Sequence, residues 1–450
     1  MSFAAESAGH RGWRARLAGL STGGLHALAF VVVPNLPYAL LMAEYALRSR
    51  APLILLYWCV GVVAPKCPHG FVACAMAAVV SLDIIWLVSG LFFLHPSLVV
   101  EALRYAPLIH PAAYWLYLAV GAGAVAAIVV PAYVVRRHRG RLLRGWSLAA
   151  GLMGVLVAAD LLATVKPGAE PPVFDSAMRR SAVEQSDALR GGGSLLVVMV
   201  ENLGVLADPA HSERLLAVLD TEAVRARYRV RDGVSPWAGM TTGATSRELC
   251  GRWATWGDYL SLAGSVADCL PARLRARGYE THAVHAYTGR MFDRFDWYPK
   301  IGFAHLTFEE QMRARGEKGV CGTVFRSACD TAAADIVREL LTAPVDRPRF
   351  VYWLTVDSHM PIDPAEGTGR WDCRAGGPFG NETVCLIARI WAGVFDATAR
   401  IATDPALPAR TSVLLVGDHP PSFVSRAAQR HFVPGVVPWI ALEPLNARAE

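Results

Sequence analysis

Three apolar runs of this 450-residue chain each end in residues that can hold a metal ion. Residues 195–200 are followed by Glu201-Asn202, residues 350–356 by Asp357-Ser358-His359, and residues 412–416 by Gly417-Asp418-His419. Any one of these carboxylates alone reads equally well as a cap or a surface group. Three polar strand ends together are most economically explained by one divalent cation. Carboxylate oxygens with an imidazole nitrogen suit zinc or manganese, and the set also permits magnesium. A nucleophile is sought in Gly243-Ala244-Thr245-Ser246-Arg247-Glu248-Leu249, which reads as a glycine turn entering a helix. A hydroxyl there gains from the helix N-terminal amides, which favour anions. The competing reading is a plain N-cap, with Glu248 closing a capping box from Thr245.

For these residues to meet, their segments must be strands of one sheet. Runs at 195–200, 281–286, 350–356, 412–416 and 437–442 are apolar and rich in β-branched residues, as strands buried on both faces require. They alternate with helical stretches such as 332–341, so residues 194–450 are expected to form an α/β sandwich. Ligands bind such sheets at the carboxyl ends of the strands, where the three polar segments fall.

The rest of the chain has a different texture. Apolar residues make up 53% of the whole and charged residues 18%, which excludes wholesale disorder. Most long apolar stretches fall within residues 1–165, with spans expected at about 24–45, 53–63, 71–94, 112–135 and 146–165. The second is cut short by Pro65 and Lys66, and Pro34, Asn35 and Pro37 interrupt the first. No small-residue cleavage pattern marks a removable leader. Arg136, Arg137, Arg139, Arg141 and Arg144 place the loop before the fifth span in the cytoplasm, which carries the C-terminal half across the membrane. Arg11, Arg14 and Arg16 agree with this orientation, and Arg48 and Arg50 count against it. Asp83, Glu44 and Asp160, in or near spans, are read as helix–helix hydrogen-bonding groups. A net charge of +6, with its only dense basic run between apolar spans, gives no nucleic-acid face. Residues 166–193, rich in Pro, Gly and charge, read as a juxtamembrane linker with a short helix near 175–190. Six cysteines beyond it fall into close pairs, Cys250/Cys269, Cys321/Cys329 and Cys373/Cys385, as disulfides of an exported domain would.

The order of these pieces resembles the alkaline phosphatase and sulfatase superfamily, most closely the membrane-anchored lipoteichoic acid synthase and phosphoglycerol transferase branch. Val198-Met199-Val200-Glu201-Asn202-Leu203-Gly204 is similar to that family's metal strand, with Asn202 where Ser is usual. Gly243-Ala244-Thr245-Ser246 resembles the segment carrying its threonine nucleophile, Asp357-Ser358-His359 the segment of its active-site histidine, and Gly417-Asp418-His419 its metal pair. The stretch from Gly278 through His285, Phe292, Arg294 and Tyr298 to Gly302-Phe303 is similar to the one that holds glycerol phosphate.

The resemblance implies an N-terminal five-helix transmembrane bundle and an extracytoplasmic α/β sulfatase-like domain in a bacterial inner membrane. It implies a metal site of Glu201, Thr245, Asp418 and His419, with Thr245 as nucleophile and His359 as acid and base. His285, Phe292 and Arg294 would bind the substrate phosphate group. The expected reaction moves glycerol phosphate from a phospholipid donor to an envelope glycan acceptor through a covalent threonine intermediate. A phosphoethanolamine transferase, a phosphodiesterase with water as acceptor and a non-catalytic assembly scaffold are the alternatives. The Cys/Ser-x-Pro-x-Arg pattern of true sulfatases is absent around Thr245.

Overall fold

Runs of Val and Leu near residues 195 and 412, and the Phe-Val-Tyr-Trp-Leu run near 350, become the centre of a seven-stranded sheet, completely buried on both faces. The computed structural model describes residues 22–45, 47–91, 94–142, 146–164, 173–344, 346–421 and 424–445. Within them the chain forms two compact units. One holds residues 22–91, 95–100 and 114–164; the other holds residue 94, residues 101–113 and the chain from 173 onward.

In the second unit the strands are β1 (Leu195–Val200), β2 (Tyr228–Pro236), β3 (Glu280–His285), β4 (His305–Thr307), β5 (Arg349–Leu354), β6 (Ser412–Gly417) and β7 (Val436–Pro444). Their order is β2-β7-β6-β1-β5-β3-β4. Strands β6, β1, β5, β3 and β4 run parallel, whereas β7 is antiparallel to both β6 and β2. Met199 lies opposite both Leu354 and Val416, so β1, β5 and β6 end level with one another. That register brings Glu201, the Asp357–His359 turn and Asp418-His419 to one edge.

Helices Asp330–Thr342 and Glu382–Thr403 each bury an apolar stripe. In the latter it runs Val384, Ile387, Trp391, Val394, Thr398 and Ile401, the three-to-four spacing of one helical face. Asn381 caps its start by accepting from the Val384 amide at 3.2 Å. The three disulfides pair as neighbours in sequence: Cys250–Cys269, Cys321–Cys329 and Cys373–Cys385.

Three features depart from the sequence expectation. Strand β2 carries Arg229, Arg231 and Asp232 on a half-exposed edge, so it lacks the apolar run of its central neighbours. Strand β4 is only three residues long. The connector helix expected near 175–190 is broken into Ala177–Ser181, a single turn Val183–Gln185 and Asp187–Arg190. Ser176 and Ser186 each restart it as side-chain caps. This stretch, expected as a juxtamembrane linker, packs within the second unit.

In the first unit, helices occupy all five expected positions. Helical residues 22–44 are interrupted by a π-turn at Leu28–Val32, followed by Ala51–Val63, His69–Leu91, Trp115–Leu142 and Trp146–Ala163. Three of them are long and apolar enough to cross a membrane: His69–Leu91, Trp115–Gly140 and Trp146–Ala163. Arg50 is buried and ion-paired with Asp83, which also accepts from the Tyr57 hydroxyl at 3.0 Å. Asp160 accepts from Ser49 Oγ at 2.6 Å and the Arg50 amide at 2.8 Å. Asp83 and Asp160 therefore join the helices through Ser49, Arg50 and Tyr57. Arg11, Arg14, Arg16 and Arg144 lie outside the described residues.

Candidate active site

The level ends of β1 and β6 bring Glu201, Asp418 and His419 together, all buried, with one ligand atom from each within 4.8 Å of the others. Gly417 permits the approach, since a Cβ there would fall 2.1 Å from the Leu203 carbonyl oxygen. Asn202 closes the turn in the left-handed region, φ +56°, which Asn tolerates better than most side chains. Its amide donates to Asp418 Oδ1 at 2.8 Å and its Nδ2 to the Ser358 carbonyl at 2.9 Å. The departure from Ser thus leaves the Glu201 carboxylate in place and ties two strand ends together.

His419 Nδ1 lies 3.0 Å from the Pro420 carbonyl, which can only accept, so the ring proton sits on Nδ1. Its Nε2 lone pair then faces Asp418 Oδ2 at 3.3 Å and Glu201 Oε1 at 3.8 Å. This orientation by an outer carbonyl is typical of metal-binding histidines. Burial and the neighbouring Asp418 charge push the Glu201 carboxyl well above its ordinary range. Glu201 Oε1 finds no hydrogen-bond donor among the described residues. Two buried carboxylates, one with an orphaned oxygen, and a lone pair aimed between them fit a divalent cation.

The hydroxyl that meets this cluster belongs to Thr241. Its Oγ1 lies 2.9 Å from Asp418 Oδ2 and 3.2 Å from Glu201 Oε2. Thr241 is the first residue of the helix Thr241–Cys250, so the cluster lies at the positive end of the helix dipole. Thr245, the residue expected there, sits one turn further on. Its Oγ1 donates back to the Thr241 carbonyl at 3.1 Å and lies 2.8 Å from the Tyr352 hydroxyl, away from the carboxylates. The helix starts two residues before Gly243, so the glycine lies inside its first turn. A search for the hydroxyl at the helix start, rather than after the glycine, would have found Thr241.

Arg247 and Glu248 fix that helix. Both are fully buried; Arg247 Nε donates to Glu248 Oε1 at 2.5 Å, and its Nη1 and Nη2 reach the Asp418 and Gly417 carbonyls at 3.2 and 2.8 Å. Glu248 accepts from the Ala177 and Met178 amides, so it closes no capping box with Thr245. Removing one member of such a pair strands a buried charge. Arg247→Ala is therefore expected to lower unfolding stability by about 3–5 kcal/mol, measured by urea titration of the purified protein.

The remaining expected residues lie on the neighbouring ends. His285, at the end of β3, is buried and His359 is partly buried, and both lie close to Arg294. Their Nδ1 atoms each lie 2.9 Å from a carbonyl, of Leu354 and Met360, which leaves each Nε2 free to accept a proton. Burial lowers the His359 imidazole to about 4 and takes His285 well below its usual value, so both rest neutral. Arg294 opens the helix Arg294–Lys300, donates to the Met291 carbonyl at 3.1 Å and lies with its guanidinium carbon 5.5 Å from the Phe292 ring centre. Asp357 turns away: its amide donates to Asp330 Oδ2, and its Oδ2 accepts from the Asp330 amide.

Residues 243–375 match the Sulfatase family model. The match contains Thr245, His285, Phe292, Arg294 and His359, and lies between Glu201 and Asp418 without reaching either. No curated protein matches the sequence. Among solved structures, the lipoteichoic acid synthase LtaP from Listeria monocytogenes is 14% identical over 55% of this chain and 65% of its own, at a TM-score of 0.40. The Streptococcus pyogenes phosphoglycerol transferase GacH, in complex with sn-glycerol-1-phosphate, is 14% identical over 63% of this chain and 78% of its own, also at 0.40. The C-terminal periplasmic domain of EcEptC from Escherichia coli is 12% identical over 57% of this chain and 74% of its own, at 0.34. This chain thus spans just under two thirds of the length of LtaP. Cys250, the cysteine nearest the helix start, is held in a disulfide and is closed to formylglycine chemistry. The match to the Sulfatase family model falls wholly within the second unit.

Proposed function

We propose that the protein is a membrane-anchored, metal-dependent transferase that moves glycerol phosphate from phosphatidylglycerol to an envelope glycan or polymer. The observation that carries this reading is the Thr241 hydroxyl set against Glu201 and Asp418 at a helix N-terminus. Glu201, Asp418, His419 and Thr241 would hold one divalent cation, manganese or zinc, which would lower the hydroxyl pKa and draw charge from the phosphoryl oxygens.

Thr241 Oγ attacks phosphorus, the bond to the diacylglycerol oxygen breaks, and the threonine proton passes to that leaving oxygen. The acceptor hydroxyl then attacks the phosphorylated Thr241 and returns a proton to its Oγ. His359, neutral with Nε2 free, is suited to carry the proton in both halves. Arg294 and His285 neutralise the phosphate oxygens, with Arg294 Nε free of any acceptor among the described residues. The apolar helices of the first unit suit a donor that lies in a membrane. Thr245 keeps the helix packed on Tyr352 and takes no chemical step.

Asp293, the carboxylate next to Phe292, is already engaged by Arg104 and Tyr105. That disfavours it as the counter-charge for an ethanolamine ammonium and supports glycerol phosphate. The test is diacylglycerol release by the full-length protein from phosphatidylglycerol and from phosphatidylethanolamine in separate mixed micelles with manganese. Release from phosphatidylglycerol at least about tenfold faster is expected, the scale of a few headgroup contacts. The reverse preference would move the protein to the ethanolamine class, and release from neither would overturn the reading.

A further inference from the structure

The phosphate-facing Arg294 follows two residues in an unfavourable backbone conformation. Phe292 and Asp293 both lie in the left-handed region, at φ +56° and +48°, which Asp tolerates and a bulky residue such as Phe rarely adopts. Such a pair persists only where its surroundings hold it. Much of the hold comes from residues 101–113, which in sequence join two apolar helices but in the fold belong to the sulfatase-type unit.

Tyr105 OH donates to Asp293 Oδ2 at 2.9 Å, and Arg104 forms an ion pair with the same oxygen. The Tyr105 ring stands edge-on to Phe292, with centres 5.3 Å apart, and Trp256 packs against both, 4.7 Å from Phe292 and 6.5 Å from Tyr105. The segment itself is fastened further along. The His110 amide donates to the Val324 carbonyl at 2.8 Å, and the Tyr287 hydroxyl donates to the Leu108 carbonyl. Burial and the Asp293 charge hold the Tyr105 phenol protonated, so it stays a donor.

We infer that Tyr105 is a positioning residue of the phosphate clamp: by holding Asp293 and Phe292 it fixes the backbone that aims Arg294. The inference rests on the proposed role of Arg294 in binding phosphate. The connection between two apolar helices is thereby part of the substrate site, and no sequence motif of the sulfatase-type domain contains it.

The test compares full-length wild type with Tyr105→Phe, which keeps the ring and loses the hydroxyl, and Tyr105→Leu, which loses both. Amide exchange over residues 289–296, followed by mass spectrometry, should rise several-fold in Tyr105→Phe and more in Tyr105→Leu, with β1 unchanged as proof of folding. The KM for phosphatidylglycerol should rise about tenfold in Tyr105→Phe, the effect of one hydrogen bond to a charged group, with kcat within about twofold. Exchange unchanged in both variants overturns the inference, as does a fall in kcat at constant KM. If wild type releases diacylglycerol from neither phospholipid, the proposed function fails while the exchange comparison still decides this inference.

Discussion

Thr241→Ala is expected to reduce diacylglycerol release by about 10⁴-fold or more, the scale seen when a covalent nucleophile is removed. Thr245→Val should keep activity within about tenfold, since it deletes hydrogen bonds to Tyr352 and to the Thr241 carbonyl but none to the carboxylates. The two threonines stand one turn apart on one helix, so the contrast isolates position, not residue type. Thr241→Ala removes the hydroxyl that bridges Glu201 and Asp418, so its binding of manganese must be measured alongside, by titration of the purified variant. Retained metal with lost turnover identifies a nucleophile. Equal losses in the two variants would instead place the chemistry elsewhere.

The second large effect concerns the buried carboxylates. Without a cation, Glu201 sits above its ordinary carboxyl range because of burial and Asp418. A carboxyl raised in the folded state contributes stability at low pH that is lost as pH rises through its folded value. The chelated protein should therefore melt at a lower temperature at pH 8 than at pH 5. At pH 8, adding manganese at about a hundred times its dissociation constant should restore about 2.7 kcal/mol of stability, read as an upward shift in melting temperature. Asp418→Asn removes one of the two charges and should abolish the manganese shift and weaken the pH dependence of the chelated form, with the part due to burial of Glu201 remaining. Its turnover should fall by about 10³-fold, in line with the loss of a group stabilising transition-state charge. A manganese shift of the same size in Asp418→Asn would dissociate the cation from this cluster.

The strand ends were readable because buried parallel strands need apolar runs, and function requires a polar residue directly after them. Glu201, Asp418 and His419 come together as that reading expects, and β1, β3, β5, β6 and β7 lie within two residues of expectation. Strand β2 was hidden because an edge strand has one partner and tolerates Arg and Asp along its length. Thr241 was hidden for a different reason. Residues 241–246 read Thr-Thr-Gly-Ala-Thr-Ser, so several hydroxyls compete, and the helix begins two residues before the glycine. The sequence assigned Arg247 no role, because its carbonyl partners lie at the end of β6, about 170 residues later. The role of residues 101–113 is unreadable locally, because their partners lie about 190 residues later.

The most direct test of the account is the position of the phosphoryl group after brief incubation of the full-length protein with phosphatidylglycerol and manganese. Thr241 and Thr245 share the tryptic peptide 232–247, so fragmentation between residues 241 and 242 must separate them. The account predicts a glycerophosphoryl adduct on Thr241 that disappears in Thr241→Ala and persists in Thr245→Val. An adduct on Thr245 would contradict it.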